Sequence, residues 1–272
     1  MTETSLSHPL VCFDRDFTEP DRYKLATGIV TVFSSRAPGK ETANEDSLAV
    51  IPVNDKAIVL AVADGLGGLP AGEMASRIVM EELKASLEHA GEEDLSLRAM
   101  ILDGIELANE KILSLRSGSA TTLVVAEIQD RSLRTYHAGD SMIVLMGNKG
   151  KVKYSTIPHS PTGYALESGL IDETEAMQHD ERHLISNFIG IPDMRVEIGP
   201  IIPMAARDTL LLASDGLADN LYEDEIIEAV RKGPLFRGTT HMLSEARANM
   251  LEHKPDRKCH PDDLTCITYR LS

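Results

Sequence analysis

The chain has 272 residues, of which 42% are hydrophobic, and 43 acidic against 27 basic side chains give it a formal charge of −16. Such a surface repels nucleic acid and anionic membranes, whose phosphates are met by Lys and Arg clusters that this sequence lacks. No segment reaches the roughly 18 unbroken apolar residues of a membrane span, residues 1–20 show no basic-then-apolar signal pattern, and Cys12, Cys259 and Cys266, without CxxC spacing, are expected as reduced thiols in the cytoplasm.

No repeat, low-complexity tract or long linker divides the sequence, which predicts one domain over residues 27–272 behind a loose or capping segment, residues 1–26. Gly28 to Phe33 and Ser47 to Pro52 are rich in β-branched residues and read as strands. The fully apolar run Ala57 to Ala63 predicts a strand buried on both faces. Glu73 to His89 and Leu95 to Leu115 carry apolar residues at helical spacing. Thr121 to Ile128, Ser132 to Ala138, Met142 to Met146 and Lys151 to Thr156 come next as a meander of antiparallel strands. Asp172 to His179 is a short helix candidate. Thr209 to Ala213 is a second buried strand, helices are expected at Glu223 to Arg231 and Thr239 to His253, and Leu264 to Leu271 closes the chain as a strand. The order lacks βαβ alternation and points to antiparallel sheets covered by helices, an α+β fold.

Six short polar patterns end or interrupt these apolar runs. They are Asn44-Glu45-Asp46-Ser47, Asp64-Gly65-Leu66-Gly67-Gly68, Ser117-Gly118-Ser119-Ala120-Thr121-Thr122, Gly139-Asp140-Ser141, Ser214-Asp215-Gly216-Leu217-Ala218-Asp219 and Pro261-Asp262-Asp263-Leu264-Thr265. A carboxylate at the end of an apolar strand is costly to desolvate unless a cation, a donor or water meets it. Several such ends brought together make a hard-cation site. Singly, each has a plainer reading: a Gly-rich turn at Asp64, a hairpin turn at Gly139-Asp140-Ser141, a polar loop at Asn44 or Pro261. Neither Asp-Gly segment supplies the Asp-x-Asp of a haloacid-dehalogenase-type phosphatase.

In this order the patterns resemble the protein phosphatase 2C family, the metal-dependent serine/threonine protein phosphatases, over roughly residues 28–271. Ser168-Gly169-Leu170-Ile171, Glu175-Ala176 and Asn187-Phe188-Ile189-Gly190 are similar to the family's flap region and the strand and loop after it. The resemblance implies two antiparallel β-sheets packed as a sandwich and flanked by helices. It implies two Mn²⁺ or Mg²⁺ ions, with Asp64 bridging them, the carbonyl of Gly65 on one, Asp215 and Asp262 on the first, and Glu45, with Asp46 beside it, at the second. Asp140 and Asp219 match the positions of a third, weaker ion in some members. The implied chemistry is attack by a water activated between two ions, with Asp64 and Asp215 acting through them. The implied partners are phosphoproteins made by a serine/threonine kinase.

Four positions depart from the family pattern. Glu41 stands where the family often has a phosphate-gripping Arg, which leaves Lys40 or Arg36 as candidates for that role. Leu66 replaces a His that some members carry, and Met142 follows Ser141 where Arg is frequent. Asp263 stands where Asn is usual. His137, His159 and His260 read as ordinary imidazoles. Two other readings stay open on sequence: a non-catalytic metal-binding signalling domain of this fold, and a phosphatase acting on a small phosphate ester.

Overall fold

Alternate residues of one strand, Ala57–Asp64, face two different cores: Ile58, Leu60 and Val62 pack between two sheets, whereas Val59, Ala61 and Ala63 pack under helices. A strand with apolar neighbours on both faces has no polar alternation, which is why the sequence reads as an unbroken run. The same division holds at Thr209–Ala213, where Leu210 and Leu212 point between the sheets and Leu211 and Ala213 point outward.

The structure, a computed structural model, describes residues 4–66, 72–88, 96–172, 175–176, 179, 181, 184–252 and 257–271. In chain order the strands are β1 (Thr4–Ser5), β2 (Leu10–Phe13), β3 (Asp21–Lys24), β4 (Gly28–Ser35), β5 (Asp46–Asn54), β6 (Ala57–Asp64), β7 (Leu123–Gln129), β8 (Ser132–Ala138), β9 (Met142–Met146), β10 (Val152–Ser155), β11 (Glu197–Ile198), β12 (Ile202–Pro203), β13 (Thr209–Ala213) and β14 (Leu264–Leu271). The helices are α1 (Gly72–Leu87), α2 (Leu97–Leu115), α3 (Pro161–Glu167), α4 (Asp215–Ala218), α5 (Glu223–Val230) and α6 (Leu235–Leu251). One sheet has the order β1-β3-β4-β14-β13-β9-β10 and the other β11-β8-β7-β6-β5-β2, with β12 also on β8. Among the described strands every pairing is antiparallel except β1 with β3.

The sheets pack face to face over Val30, Leu48, Leu60, Val124, Leu145, Leu212 and Ile267. Helices α1 and α2 cover the outer face of the second sheet through Val79, Leu83, Ile101 and Ile105, and α5 and α6 cover the first through Ile226, Val230, Met242 and Ala246. This is the expected α+β sandwich. The Ser96 hydroxyl caps α2 by accepting from the Ala99 amide at 3.2 Å.

Several local expectations need correction. Residues 1–26 are not a loose segment throughout: β2 pairs with β5, and β3 pairs with β4, so the N-terminus adds strands to both sheets. These strands are four residues each, β2 apolar (Leu10–Phe13) and β3 polar (Asp21–Lys24), too short to show a periodic pattern. The four central strands are not one meander, since β7 and β8 belong to one sheet and β9 and β10 to the other. Gly139-Asp140-Ser141 is therefore a crossing between sheets rather than a hairpin turn. Helix α6 begins at Leu235, directly after Pro234, four residues before the expected Thr239. Helix α3, capped by the Ser160 hydroxyl on the Gly163 amide at 2.9 Å, has no counterpart among the expected elements. Half of the candidate helix from Asp172 to His179 lies outside the described residues, as do Leu95 and His253; Glu175 and Ala176 within it are helical.

Candidate active site

Asp46 and Asp64 are opposite one another where β5 and β6 pair, so register alone brings two carboxylates to one end of the second sheet. The Ser117-to-Thr122 pattern anchors that end: the Thr122 amide and the Thr121 hydroxyl both donate to the Asp64 carbonyl at 2.8 Å. The Asp64 amide in turn donates to the Thr122 hydroxyl at 3.1 Å. Glu45 is held by the Ser76 hydroxyl, which reaches from the start of α1 to the Glu45 carbonyl at 2.6 Å.

The first sheet supplies the facing wall. Strand β13 ends at Ser214, Asp215 opens α4, and Asp262 and Asp263 lead into β14. Gly216 is required here, because a β-carbon at this position would lie 2.0 Å from the Asp263 carbonyl oxygen. Ser214 spans the two sheets: its hydroxyl donates to Asp46 Oδ2 at 2.8 Å and accepts from the Thr265 amide at 3.0 Å. Asn44 makes a second link, accepting from the Asp46 amide at 2.9 Å and donating to the Ser34 hydroxyl on β4 at 3.0 Å.

Between these walls is a cavity of about 410 Å³ lined by Glu45, Asp64, Gly65, Leu66, Asp140, Ile185, Phe188, Asp215, Asp219, Asp262 and Asp263. It gathers every expected acidic ligand except Asp46, which is buried beside it. Lys40 and Arg36 do not line it. Lys40 Nζ is 2.7 Å from Asp263 Oδ2 and 2.8 Å from Glu45 Oε2, and Arg36 pairs with Asp14 at 3.0 Å. The two residues expected to grip phosphate are thus already committed to carboxylates. Sequence reasoning gave no role to Ser214, and none to Ile185 or the Phe188 ring as an apolar wall. Ser214 had a readable signal, a hydroxyl directly before Asp-Gly at a strand end.

The carboxyls repel one another in a site that water solvates poorly. Burial first, then the neighbouring carboxylates, holds Asp64 and Asp215 well above the usual carboxylate range, and the two are within hydrogen-bonding reach of each other. Burial raises Asp46 to about 7 and Asp140 to about 6, and it raises Asp262 as well. Asp46 Oδ1, Asp140 Oδ1 and Asp215 Oδ1 are buried and accept no hydrogen bond. Buried lone pairs without donors are expensive, and a hard divalent cation is the partner such an all-oxygen set fits.

A family model described as protein phosphatase 2C matches residues 36–254. The chain belongs to the protein phosphatase 2C family. The serine/threonine phosphatase stp of Listeria monocytogenes is 31% identical to this family member over 198 residues, 69% of this chain and 77% of the relative. Among solved structures, the serine/threonine phosphatase Stp1 of Staphylococcus aureus superposes with a TM-score of 0.77 at 24% identity, covering 89% of this chain and 94% of that one. The catalytic domain of the phosphatase PstP, in complex with two manganese ions, superposes with a TM-score of 0.68 at 24% identity, covering 89% and 97%. The family, the fold and the enzyme class expected from the motifs of this phosphatase 2C chain are those found.

Proposed function

We propose that this chain is a divalent-metal-dependent phosphatase that hydrolyses phosphoserine and phosphothreonine in proteins. One observation carries this reading: carboxylates from the ends of both sheets, two of them (Asp140 and Asp215) with a buried, unpartnered oxygen, converge on one cleft. A purely acidic cleft repels a phosphate dianion. Among the described lining residues there is no Lys, Arg or His to reverse that sign, so phosphate binding falls to bound cations. The relatives' names support a serine/threonine phosphatase, and the PstP complex supports manganese.

In this reading Asp64, the Gly65 carbonyl, Asp215, Asp262, Glu45 and Asp46 would hold Mn²⁺ or Mg²⁺ ions, with Asp64 the ligand the ions would share. Asp140 and Asp219 would hold a third ion, more weakly. When bound, the ions acidify water and neutralise the charge that builds on the phosphoryl oxygens. Among the described lining residues there is no hydroxyl, thiol or imidazole, and in this reading the carboxylates are metal ligands, so the attack falls to water, with no phospho-enzyme. Ile185 and Phe188 keep bulk water from one side of the cleft and meet the apolar part of the substrate. Free Cys12, Cys259 and Cys266 suit a cytoplasmic setting alongside a serine/threonine kinase that makes the substrate. No helix among the described residues is long and apolar enough to cross a membrane.

The test is release of phosphate from a phosphothreonine peptide and from p-nitrophenyl phosphate, with Mn²⁺, with Mg²⁺ and with EDTA. Metal-dependent release from the peptide, lost in Asp64→Asn, is the expected result. Near-full metal-dependent activity in Asp64→Asn would overturn the assignment of the shared ligand. Turnover of the small ester alone would make a small phosphate ester the substrate, and a folded protein without turnover would be a non-catalytic domain.

A further inference from the structure

Behind the cleft lies a second cluster of ionisable groups that the proposed chemistry does not use. His137 and His159 are both buried and stack with ring centroids 4.4 Å apart, and Glu197 on β11 approaches them with Oε2 3.3 Å from His159 Nε2 and 3.9 Å from His137 Nε2. Two imidazoles and a carboxylate have the composition of a metal site. The hydrogen bonds oppose that reading. The Gly139 amide donates to His159 Nδ1 at 3.1 Å, and a backbone N–H cannot act as an acceptor. The Asn187 amide group also donates to Nδ1 at 2.9 Å, its orientation fixed because its Nδ2 donates to the Arg195 carbonyl at 2.7 Å and its Oδ1 accepts from the Arg195 amide at 2.9 Å. Nδ1 therefore carries the lone pair. The proton of neutral His159 sits on Nε2 and points at Glu197, where a metal would need a lone pair.

The same bonds define what His159 does. Its ring nitrogen and its backbone amide grip both sides of Gly139, the latter donating to the Gly139 carbonyl at 3.0 Å. Gly139 has φ +115°, and a β-carbon there would lie 2.6 Å from Thr122 Cβ, so the crossing between sheets has one tight path. The next residue is Asp140, on the acidic wall. The His159 carbonyl meanwhile accepts from the Ser186 amide at 2.8 Å and the Ser186 hydroxyl at 2.9 Å. Ser186 and Asn187 lie between Ile185 and Phe188, the apolar wall. One residue is bonded to both sides of the cleft.

We propose that His159 is a positioning residue that sets the acidic Asp140 crossing against the apolar Ile185–Phe188 wall, through the lone pair on Nδ1. This rests on the phosphatase reading of the cleft. Asparagine carries an acceptor at the branch point that Nδ1 occupies and can keep the Gly139 bond; glutamine carries its amide one atom further out and cannot. The experiment compares His159→Asn with His159→Gln in the full chain. It tracks hydrogen–deuterium exchange of the peptide containing Gly139 and, in parallel, kcat/KM on a phosphothreonine peptide. Exchange at least tenfold faster and kcat/KM at least tenfold lower in His159→Gln, with His159→Asn within about threefold of the parent on both, is the expected result.

Unchanged exchange in His159→Gln would overturn the proposal, as would equal losses in both variants. Faster exchange without a fall in kcat/KM would also overturn it, leaving His159 merely structural. If the parent itself turns over no phosphopeptide while the exchange pattern holds, the positioning of the crossing stands and the phosphatase reading fails.

Discussion

Lys40 Nζ sits 2.7 Å from Asp263 Oδ2, joining two residues 223 positions apart at the rim of the acidic cleft. Asp263 is almost fully buried and also accepts from the Ala37 amide at 2.8 Å and the Glu45 amide at 2.8 Å. The Lys40 ammonium lies between Asp263 and Glu45, and these bonds raise its pKa against the opposing effect of burial. Where the family usually carries a neutral Asn, this chain has an Asp and a lysine that offsets it.

Removing the lysine should therefore expose the charge it balances. Lys40→Met is expected to cost about 3 kcal/mol, because a buried carboxylate loses its ion pair. Asp263→Asn in the Lys40→Met background should recover a large part of that cost. Chemical denaturation of the four proteins as a double-mutant cycle checks this; additive losses would mean that the two side chains do not interact.

Losing catalysis and gaining stability should go together at Asp215. Its Oδ1 is buried without a donor, and burial with neighbouring carboxylates raises its pKa. Asp215→Asn removes the charge and keeps the volume. Without metal it should melt roughly 3–6 °C higher at pH 7.5, for a gain of about 1–2 kcal/mol, while phosphate release is abolished. Calorimetry in EDTA gives the first quantity and a phosphate assay in Mn²⁺ the second.

Asp46, raised to about 7, and Asp140, raised to about 6, both from an ordinary 3.8, contribute to the pH dependence of the metal-free protein in the same direction as the raised Asp64, Asp215 and Asp262. Between pH 4 and 7 the folded state holds protons at Asp46 and Asp140 that the unfolded state has released, so stability falls as pH rises. Their contribution is fully present below about pH 4 and is lost as pH passes through 6 to 7. In EDTA, melting temperature should climb as pH is lowered from 8 to 5.5. Mn²⁺ should raise it more at pH 8, where Asp46 and Asp140 need no deprotonation, than at pH 5.5. An equal increment at both values would contradict the involvement of these groups.

Gly216→Ala should damage the site through the backbone. The new β-carbon would meet the Asp263 carbonyl oxygen at 2.0 Å, and neither partner is a flexible side-chain end. A cost of about 1–3 kcal/mol is expected, with a loss of activity larger than that destabilisation explains, because Asp262 and Asp263 must shift. Activity measured well below the melting temperature separates the two effects.

Much of this site could be read from the chain because its chemistry sits at the ends of strong local signals. Asp64 and Asp215 each follow an apolar strand and precede glycine, a pattern set by neighbours in sequence. The sandwich was legible for a similar reason, since Ala57–Asp64 and Thr209–Ala213 are apolar on both faces. What escaped was decided over long range. Nothing local to Gly139-Asp140-Ser141 distinguishes a hairpin from a crossing between sheets; the distinction lies in whether β9 pairs with β8 or with β13. Lys40 and Arg36 looked available for phosphate because Asp263 and Asp14, two of the three acids that occupy them, are distant in sequence, and the third, Glu45, was read as a metal ligand. The strands β2 and β3 escaped because each is only four residues long and is defined by its pairing with β5 or β4, elements distant in sequence or across a loop.

The Ser214–Asp46 bond spans the two sheets, and the acids on either side of it come from different layers. The cleft is consequently a gauge of how one sheet is set against the other. A substitution deep in the shared core that slides the layers by a fraction of an ångström would leave every strand intact, yet it would move Asp46 and Asp64 relative to Asp215 and Asp262. Turnover should then register such a displacement before thermal stability does, and residues remote from the cleft, such as Leu60 and Leu212, would be under selection for alignment as well as for packing.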